Sequence, residues 1–253
     1  MFSFFTKKKV VDCLPWGIQL DIHNHLLPGI DDGSPDVQTS IELIQGLHDL
    51  GFQQFIASPH IAAGIYRNNR ESIQHAFSQL QDTQTAEAKR VFGFAAEYMI
   101  DDYFDQLILK DLINLPIPGT TKYILVEFPY WGLPAHWHDS IFQLRKMGYQ
   151  PILAHPERYS FVKPSLMVER FRGTGLQFQL NLLSLGGYYG KEVMRLAQFY
   201  MAEQLYDFAG TDVHHIQHIQ GLQRMAKDPV VSSLIANYPF QNNQLLGIAT
   251  HES

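Results

Sequence analysis

Seven short apolar runs in this chain each end in a polar residue or a polar cluster. We predict these runs to be β-strands, because they are rich in β-branched and aromatic residues and are bounded by Gly or Pro. The predicted strands span residues 18–23, 54–58, 92–97, 123–127, 151–154, 176–181 and 206–210. The groups that follow them include imidazoles and carboxylates, which are ligands of divalent metals. Delivery of such groups from many strand ends is how a barrel enzyme assembles its site.

Helical patterns separate most of the predicted strands. Ser34-Pro35-Asp36 predicts the start of the first helix, with Ser34 as its cap, and Gly51 predicts its end. Further helices are predicted for residues 70–89, 134–147, 164–172 and 189–204. Alternating strands and helices predict an α/β fold with a parallel sheet. An open sheet gathers its ligands at one switch point, whereas here almost every strand ends in a polar group, so the pattern favours a seven-unit barrel.

A chain of 253 residues is long enough for one large core, and α/β barrels of this size are commonly single domains. We therefore expect one domain over residues 17–253, preceded by an N-terminal extension of residues 1–16. That extension has three Phe and three Lys within residues 1–9, a stretch too short for a signal peptide or a membrane span. It is either a frayed terminus or a weak peripheral anchor to an anionic membrane surface.

The net charge and the cysteine content limit the possible functions of the protein and the compartments that suit it. The formal net charge of −6 argues against a nucleic-acid partner bound by a general basic surface. Cys13 is the single cysteine, so no intrachain disulfide is possible, and a reducing compartment such as the cytoplasm fits. Cys13 is also far from any arginine, which excludes a cysteine-based phosphatase.

The chain contains two His-x-His segments, and their contexts distinguish them. His23 and His25 end the first predicted strand, where residues two apart project to the same side. His136 and His138 follow Pro134 at a predicted helix start, where residues two apart face away from each other. We therefore assign the first pair to metal binding and the second pair to surface or aromatic packing.

The other strand ends and the adjacent loops add further nitrogen and oxygen ligands. Asp31 and Asp32 lie in the first loop after a strand, as turn residues or as a metal ligand, and we prefer Asp32 as the ligand. The predicted metal ligands are nine: His23, His25, Asp32, His60, Glu97, Glu127, His155, Asp212 and His214. One tetrahedral ion needs about four ligands, so this set predicts two or three clustered divalent ions. Clustered ions suit phosphoester hydrolysis, because they activate water at neutral pH and offset charge on the attacking and leaving oxygens.

Two arginines are candidates for binding the phosphate of a substrate. Arg158 lies three residues beyond His155, and its guanidinium offers the two-pronged contact that suits phosphate. The alternative for Arg158 is a surface ion pair with Glu157 or Glu169. Arg67, in the loop after the second predicted strand, would add a second positive charge at the edge of the site. The alternative is that this loop is exposed to solvent and binds nothing.

Several stretches of the chain resemble the polymerase-and-histidinol-phosphatase (PHP) superfamily. They are Asp21-Ile22-His23-Asn24-His25-Leu26-Leu27-Pro28-Gly29-Ile30-Asp31-Asp32-Gly33, Ser58-Pro59-His60, Ala96-Glu97, Val126-Glu127-Phe128, His155-Pro156-Glu157-Arg158-Tyr159 and Thr211-Asp212-Val213-His214. Within the superfamily they are most similar to the bacterial manganese-dependent protein-tyrosine phosphatases of capsule and exopolysaccharide loci. The resemblance runs from about residue 17 to about residue 220 and implies the PHP fold, a distorted seven-unit (β/α) TIM-like barrel.

The resemblance also implies how three metal ions would divide the ligands, with Glu97 bridging two of them. The first ion would take His23, His25, Glu97 and Asp212; the second would take Glu97, Glu127 and His155; the third would take Asp32, His60 and His214. Manganese is the expected metal, with cobalt, iron or zinc as alternatives.

The same resemblance implies the catalytic and substrate-binding residues. Arg158 matches an arginine that binds the phosphoryl group, and we expect Arg158, Glu97 and Asp212 to carry catalysis. Some family members have another arginine shortly after the Asp-x-His motif. No arginine stands there in this chain, and His218 is the candidate to substitute for it.

The activity that the resemblance implies is dephosphorylation of phosphotyrosine. The expected partner is the phosphotyrosine-bearing tail of a membrane tyrosine autokinase that controls capsule or exopolysaccharide synthesis. Two other functions stay open at this point. One is a small-molecule phosphatase, such as one for histidinol phosphate, which a closed pocket would favour. The other is a non-catalytic regulatory module that retains metals, although the full ligand set argues against it.

Overall fold

The structure is a computed structural model, and it describes residues 16–246. Cys13 and the predicted membrane contact of residues 1–9 therefore lie outside the described residues. Trp16 is the first residue described, and it is 3% exposed. Its ring packs edge-on against Phe52, with ring centres 6.4 Å apart, and its Nε1 donates to Ser232 Oγ at 3.2 Å. The core therefore includes this last residue of the predicted extension.

All seven predicted strands are present within residues 16–246, where the chain forms nine strands. They are β1 (Leu20–Asp21), β2 (Gln54–Ala57), β3 (His60–Ile61), β4 (Val91–Phe94), β5 (Glu97–Met99), β6 (Tyr123–Glu127), β7 (Gln150–Ala154), β8 (Gln177–Asn181) and β9 (Phe208–Gly210). The additional strands arise from two breaks. Pro59, which has no N–H to donate to a ladder, stands between β2 and β3, and Ala95-Ala96 separates β4 from β5.

The strands pair in parallel, mostly with their neighbours in the chain. One sheet has the order β1-β2-β4, and the other has the order β3-β5-β6-β7-β8-β9. Every pairing between these strands is parallel, so their carboxyl ends lie at one edge. The predicted α/β class is therefore confirmed. Among the described strands, the pairings form two sheets and no single closed one.

Helices follow most of the strands in residues 16–246. The α-helical segments are α1 (Val37–Asp49), α2 (Arg70–Gln81), α3 (Asp102–Leu109), α4 (Trp137–Lys146), α5 (Pro164–Leu166), α6 (Leu182–Leu185), α7 (Lys191–Ala202), α8 (Ile216–Ala226) and α9 (Pro229–Ala236). Short 3-10 turns span Ala88–Arg90, Pro156–Arg158, Arg172–Thr174 and Asn242–Leu245, and a π-helical turn spans Met167–Phe171. None of the helices in this range combines the length and the apolar character that crossing a membrane requires.

Three of the predicted helices differ in detail from the observed ones. The helix predicted over residues 70–89 ends at Gln81, and a separate 3-10 turn spans Ala88–Arg90. The cap of α1 is Asp36, whose carboxylate accepts from the Thr39 N–H at 2.8 Å, and not Ser34 as predicted. Ser34 is buried, and its hydroxyl donates to the Asp36 carbonyl at 2.8 Å. The predicted helix over residues 164–172 is instead a single α turn followed by the π and 3-10 turns.

The structure has a compact apolar cluster of ten buried residues. It is formed by strand residues and their neighbours: Leu20, Ile22, Ile56, Ala95, Ile117, Leu125, Ile152, Ala154, Phe208 and Leu245. A larger cluster fills the space between the strands and the helices. Because side chains alternate along a strand, the residue next to Ile22 on either side points the opposite way. This packing presents Asp21 and His23 together at the strand end.

Candidate metal centre

The nine predicted ligand residues converge on one site at the carboxyl ends of the strands. They form four overlapping groups in which the ligand atoms lie within 4.8 Å of one another. The groups are His25, Asp32, His60 and His214; His23, His25 and Glu97; His23, His155 and Asp212; and His60, Glu97 and Glu127. The chain thus brings together all nine residues that the sequence singled out.

Glu97 lies at the centre of this arrangement. Its Oε2 is 3.2 Å from His23 Nε2 and 3.0 Å from His60 Nδ1, and its Oε1 is 3.2 Å from His155 Nε2. Asp212 is a second hub, because its Oδ1 lies 3.3 Å from both His23 Nε2 and His25 Nε2. A carboxylate surrounded by imidazoles in this way suits the bridging of two cations.

Several of these atoms are buried without a hydrogen-bond partner among the described residues. They are His23 Nε2, His25 Nε2, His60 Nδ1, Glu97 Oε2 and Glu127 Oε1. A buried polar atom without a partner is costly, and natural proteins leave few of them. Binding of divalent cations by the converging imidazoles and carboxylates would satisfy these atoms, so the site fits metal ions.

The charges of the site are strongly coupled. Burial opposes protonation of the two histidines after β1, but the neighbouring carboxylates outweigh it and raise the pKa of His23 to about 9 and that of His25 to about 10. Burial likewise opposes ionisation of Glu97 and Asp212, yet the imidazoles around them hold the pKa of both carboxyls well below the usual range. Metal ions would replace the protons on such histidines.

Contacts behind the cluster orient the histidine rings. His23 Nδ1 lies 2.7 Å from Gln179 Oε1, and His25 Nδ1 lies 2.7 Å from Asp31 Oδ2. His214 Nδ1 lies 2.9 Å from the carbonyl of Asp212. Such contacts fix which ring nitrogen faces a metal, and they make the imidazole a better ligand.

The two neighbouring aspartates of the first loop have different surroundings. The Asp31 side chain is fully buried against His25, and the Asp32 side chain is 53% exposed. Asp32 Oδ1 lies 3.5 Å from His60 Nε2 and 3.6 Å from His214 Nε2. The geometry therefore favours Asp32 as the ligand and Asp31 as the residue that orients His25. Sequence reasoning missed Asp31 and Gln179, because neither has a motif that identifies its contact.

Two residues of the cluster adopt backbone angles that are uncommon for side chains other than glycine. The φ angle of His155 is 35° and that of Asp212 is 50°. Such conformations concentrate at functional sites and persist where the surroundings hold them. The Asp212 N–H donates to the His23 carbonyl at 2.8 Å, and the His155 N–H donates to the Gln179 carbonyl at 2.9 Å. These bonds direct both side chains into the cluster.

Arg158 lies beside the cluster. One of its terminal nitrogens donates to Asp212 Oδ2 at 2.8 Å, and its side chain is 21% exposed. The neighbouring Glu157 is fully buried, where it accepts hydrogen bonds from the Asn181 N–H and the Ser184 and Tyr206 hydroxyls. Arg158 is therefore paired with a residue of the cluster and not with Glu157 or Glu169 at the surface.

The two other predicted substrate-binding residues lie in different environments. His218 is 7% exposed, and its Nδ1 accepts from the His214 N–H at 3.1 Å. Burial and the neighbouring histidines lower its pKa to about 3, so its ring is neutral. Arg67 is exposed and follows Tyr66, whose ring stacks on His60 with the ring planes 12° apart. These contacts place His218 behind the predicted metal ligands and Arg67 outside them.

Comparisons with known proteins agree with this geometry. A profile of the family described as capsular polysaccharide synthesis, CpsB/CapC, matches residues 19–228. Tyrosine-protein phosphatase YwqE of Bacillus subtilis is 30% identical over 202 residues, which cover 78% of each protein. Tyrosine-protein phosphatase CpsB of Streptococcus pneumoniae is 23% identical over 217 residues, which cover 83% of this chain and 88% of that protein.

A solved structure is similar over nearly the whole chain. It comes from the crystal structures of YwqE from Bacillus subtilis and CpsB from Streptococcus pneumoniae, described as unique metal-dependent tyrosine phosphatases. The TM-score is 0.75 at 29% sequence identity, and the match covers 90% of this chain and 94% of that chain. Family profile, sequence and structure therefore agree, and this chain belongs to the CpsB/CapC family of capsular polysaccharide synthesis.

Proposed function

We propose that this protein is a metal-dependent phosphatase that removes the phosphoryl group from phosphotyrosine. The observation that carries the proposal is the convergence of nine imidazoles and carboxylates next to the partly open guanidinium of Arg158. Membership in a family whose relatives are named tyrosine-protein phosphatases supports the same activity. With metal ions bound, the clustered residues would present cations to a phosphoryl group, and Arg158 would orient it.

The ligand set supports two or three divalent ions. The proposed division follows the family resemblance: it places His23, His25, Glu97 and Asp212 on one ion, Glu97, Glu127 and His155 on a second, and Asp32, His60 and His214 on a third. Nitrogen and oxygen ligands without thiolate suit manganese, and cobalt, iron or zinc would also fit. When bound, such ions supply activated water at neutral pH and offset negative charge on the oxygens around phosphorus.

Arg158, Glu97 and Asp212 are the proposed catalytic residues. The Arg158 guanidinium binds and orients the phosphoryl oxygens, and its pairing with Asp212 Oδ2 at 2.8 Å keeps it in place. Asp212 also holds the ring nitrogens of His23 and His25, so it joins the arginine to the ligand cluster. Glu97, with four imidazoles within 3.5 Å of its carboxylate, stays ionised at the centre of the site.

The two sheets are proposed to form one distorted barrel of seven βα units. Hydrogen bonds outside the strands support this, because they join the two sheets at the carboxyl ends. Asn24 forms a parallel bridge with Val213, and the Glu97 N–H donates to the Pro59 carbonyl at 3.0 Å. The Ala95 N–H donates to the Ala57 carbonyl at 2.7 Å, so the breaks at Pro59 and at Ala95-Ala96 interrupt a nearly continuous ladder.

The proposed substrate is the phosphotyrosine-bearing tail of a membrane tyrosine kinase in capsule or exopolysaccharide synthesis, met on the cytoplasmic side. The family of capsular polysaccharide synthesis supports the pathway. The side chains of Asp32 and Arg158 are 53% and 21% exposed. Both can therefore be reached from solvent, which supports a chain segment as the substrate.

The activity is tested with purified protein whose metals are removed and then restored one at a time. Phosphotyrosine peptide, phosphoserine peptide and histidinol phosphate are the substrates. We expect phosphotyrosine to turn over best, loss of activity in chelator, and the best recovery with manganese or cobalt. An aryl leaving group needs little protonation, because the pKa of a phenol is about 10. Faster turnover of histidinol phosphate would identify a small-molecule phosphatase, and metal binding without any turnover would identify a regulatory module.

The role of Arg158 has its own test. Arg158→Ala is expected to lower turnover by roughly a hundredfold or more without loss of metal, because preorganised donors stabilise charge in the transition state. Arg158→Lys should recover little of the turnover that Arg158→Ala loses, because an ammonium group cannot make a two-pronged contact. If the alanine variant keeps nearly full turnover, Arg158 does not bind the phosphoryl group.

A further inference from the structure

Arg158 is bordered by two aromatic rings as well as by a carboxylate. Its Cζ lies 4.3 Å from the centre of the Tyr189 ring and 4.9 Å from the centre of the Tyr130 ring. Both distances are within the range of about 6 Å that a cation–π contact allows. The Arg158 side chain still keeps 21% of its surface exposed. A phosphoryl group that binds this exposed part therefore lies close to both rings.

Both rings are held by contacts of their own. The Tyr189 hydroxyl accepts from Asn181 Nδ2 at 3.1 Å, and the same amide nitrogen donates to Asp212 Oδ2 at 2.8 Å. The Tyr130 ring lies over that of His155, with ring centres 6.0 Å apart and planes 22° from parallel. These contacts link each ring to a residue of the metal centre, so the rings are in place before a ligand binds.

The Tyr130 ring also faces solvent. Tyr130 is 46% exposed although it contacts both His155 and Arg158. The next residue, Trp131, is 77% exposed. A large aromatic surface at the mouth of a charged site is unusual unless it contacts a ligand or a partner.

We infer that Tyr130 and Tyr189 form a subsite for the aryl ring of the substrate and so select aryl over alkyl phosphates. This inference rests on the proposed phosphatase function. In phosphotyrosine a single oxygen joins the ring to phosphorus, so a phosphoryl group on Arg158 places the ring beside the two tyrosines. Phosphoserine puts only a methylene group there. Ring-to-ring contact then stabilises the aryl substrate beyond what burial of its area provides.

The alternative is that the two tyrosines only hold Arg158 in position. The two roles differ for ligands that have no ring. If the tyrosines act only through Arg158, their loss weakens every phosphoryl ligand equally. If they contact the aryl group, their loss weakens aryl ligands selectively. A selectivity ratio therefore separates the two roles, and it cancels the greater intrinsic reactivity of aryl esters.

The experiment uses the metal-loaded full chain and compares Tyr130→Ala, Tyr130→Phe and Tyr189→Phe with the wild type. Phe142→Ala is the control, because Phe142 is 60% exposed on α4 and lines a separate groove with Arg145 and Gly173. The kinetic readout is kcat/KM for phenyl phosphate and for phosphoserine. The binding readout is calorimetry with phenylphosphonate and methylphosphonate, which are not hydrolysed.

Tyr130→Ala is expected to lower the kcat/KM ratio of phenyl phosphate to phosphoserine by roughly tenfold, and to weaken phenylphosphonate binding by a similar factor. Methylphosphonate affinity should change by less than about twofold, because that ligand makes no ring contact. The two phenylalanine variants should keep the wild-type ratio, since both retain the ring face. The Phe142→Ala control should match the wild type in every measurement.

Two outcomes would overturn the inference. One is an equal loss of phenylphosphonate and methylphosphonate affinity in Tyr130→Ala. The other is an unchanged ratio in that variant. If the wild type hydrolyses no phosphoester, the proposed function fails by itself, and the binding ratio of the two phosphonates still tests the subsite.

Discussion

The two His-x-His segments carry the same motif on two different backbones. His23 and His25 follow strand β1, where both side chains are fully buried and each Nε2 lies 3.3 Å from Asp212 Oδ1. His136 and His138 flank the first residue of α4, and their side chains are 32% and 63% exposed. The first pair shares one site, whereas the second pair does not.

Backbone geometry explains the difference. On an extended chain residues two apart share a face, and at a helix start they point apart. His136 Nε2 faces Asp105 Oδ2 at 3.0 Å, while the His138 ring lies edge-on to Trp137. In this chain, only the His-x-His pair that follows a strand meets several carboxylates in one buried cluster.

Replacing one histidine of each pair gives the sharpest contrast. His25→Ala is expected to reduce bound manganese and to lower phosphotyrosine turnover by on the order of a thousandfold, because it removes a ligand of the metal centre. His138→Ala should leave both quantities unchanged. Elemental analysis after manganese loading and a turnover assay measure the two effects. Equal losses of manganese and turnover in the two variants would show that the two His-x-His pairs do not differ in metal binding.

Each pair also has an aspartate partner, which permits a matched second test. Asp31→Asn weakens the contact that orients His25 at 2.7 Å, so turnover or metal affinity should fall by about 10- to 100-fold. Asp105→Asn changes the equivalent contact of His136 and should leave activity at the wild-type level. Full activity in Asp31→Asn would mean that the His25 ring needs no partner to stay oriented.

In protein freed of metal by a chelator, the pH dependence of the melting temperature should distinguish the His23/His25 pair from the His136/His138 pair. The folded-state pKa values of His23 and His25, about 9 and about 10, lie above the value of about 6.5 in an unfolded chain. Their protonation therefore stabilises the fold fully below about pH 6.5, and this stabilisation is lost as the pH rises through the folded values. The melting temperature should fall over this range in the wild type and His138→Ala, and less steeply in His25→Ala. If the melting temperature falls equally with pH in all three proteins, protonation of His25 does not stabilise the fold.

The smallest effect is expected for the His136 contact. His136→Ala should change the free energy of unfolding by less than about 1 kcal/mol, because a partly exposed pair contributes little. Asp105 keeps the hydrogen bond from the Ser140 hydroxyl at 2.7 Å, so its carboxylate is not left unpaired. Chemical denaturation measures the change. A loss several times larger would mean that this helix start has a structural role beyond packing.

The nine clustered residues could be predicted because local rules place them. Each follows a strand-like run or lies in the loop after one, and parallel strands bring their carboxyl ends to one edge. Residues such as His60 and Glu97 are then neighbours, as their paired register shows. The order of the strands along the chain is therefore enough to predict which strand-end residues become neighbours.

The residues behind the cluster could not be predicted, because their partners are distant in the chain. Gln179 contacts His23 across 156 positions, and nothing in the local sequence marks that pairing. Asp31 has the composition of a turn, and only the folded loop shows that it contacts His25. Tyr130 and Tyr189 likewise have no motif, and their place beside Arg158 depends on three separate loops.

Some helices were missed for a related reason. Helix α8 contains Gly221, which lowers helix propensity by about 1 kcal/mol relative to alanine. A Cβ on Gly221 would lie 2.8 Å from Leu183 Cδ2, so the glycine permits the close approach of α8 to α6. Tertiary packing therefore stabilises a helix that local preference alone does not predict.

Asp21 joins segments that lie far apart in the chain. Its Oδ2 accepts from the Thr211 hydroxyl at 2.6 Å across 190 positions, next to the bridge between Asn24 and Val213. Folding slows as the sequence separation of contacts increases. During synthesis the histidines after β1 leave the ribosome long before Asp212, so a nascent chain exposes them without that carboxylate. The nine clustered residues therefore come together only when the first and the last strands meet.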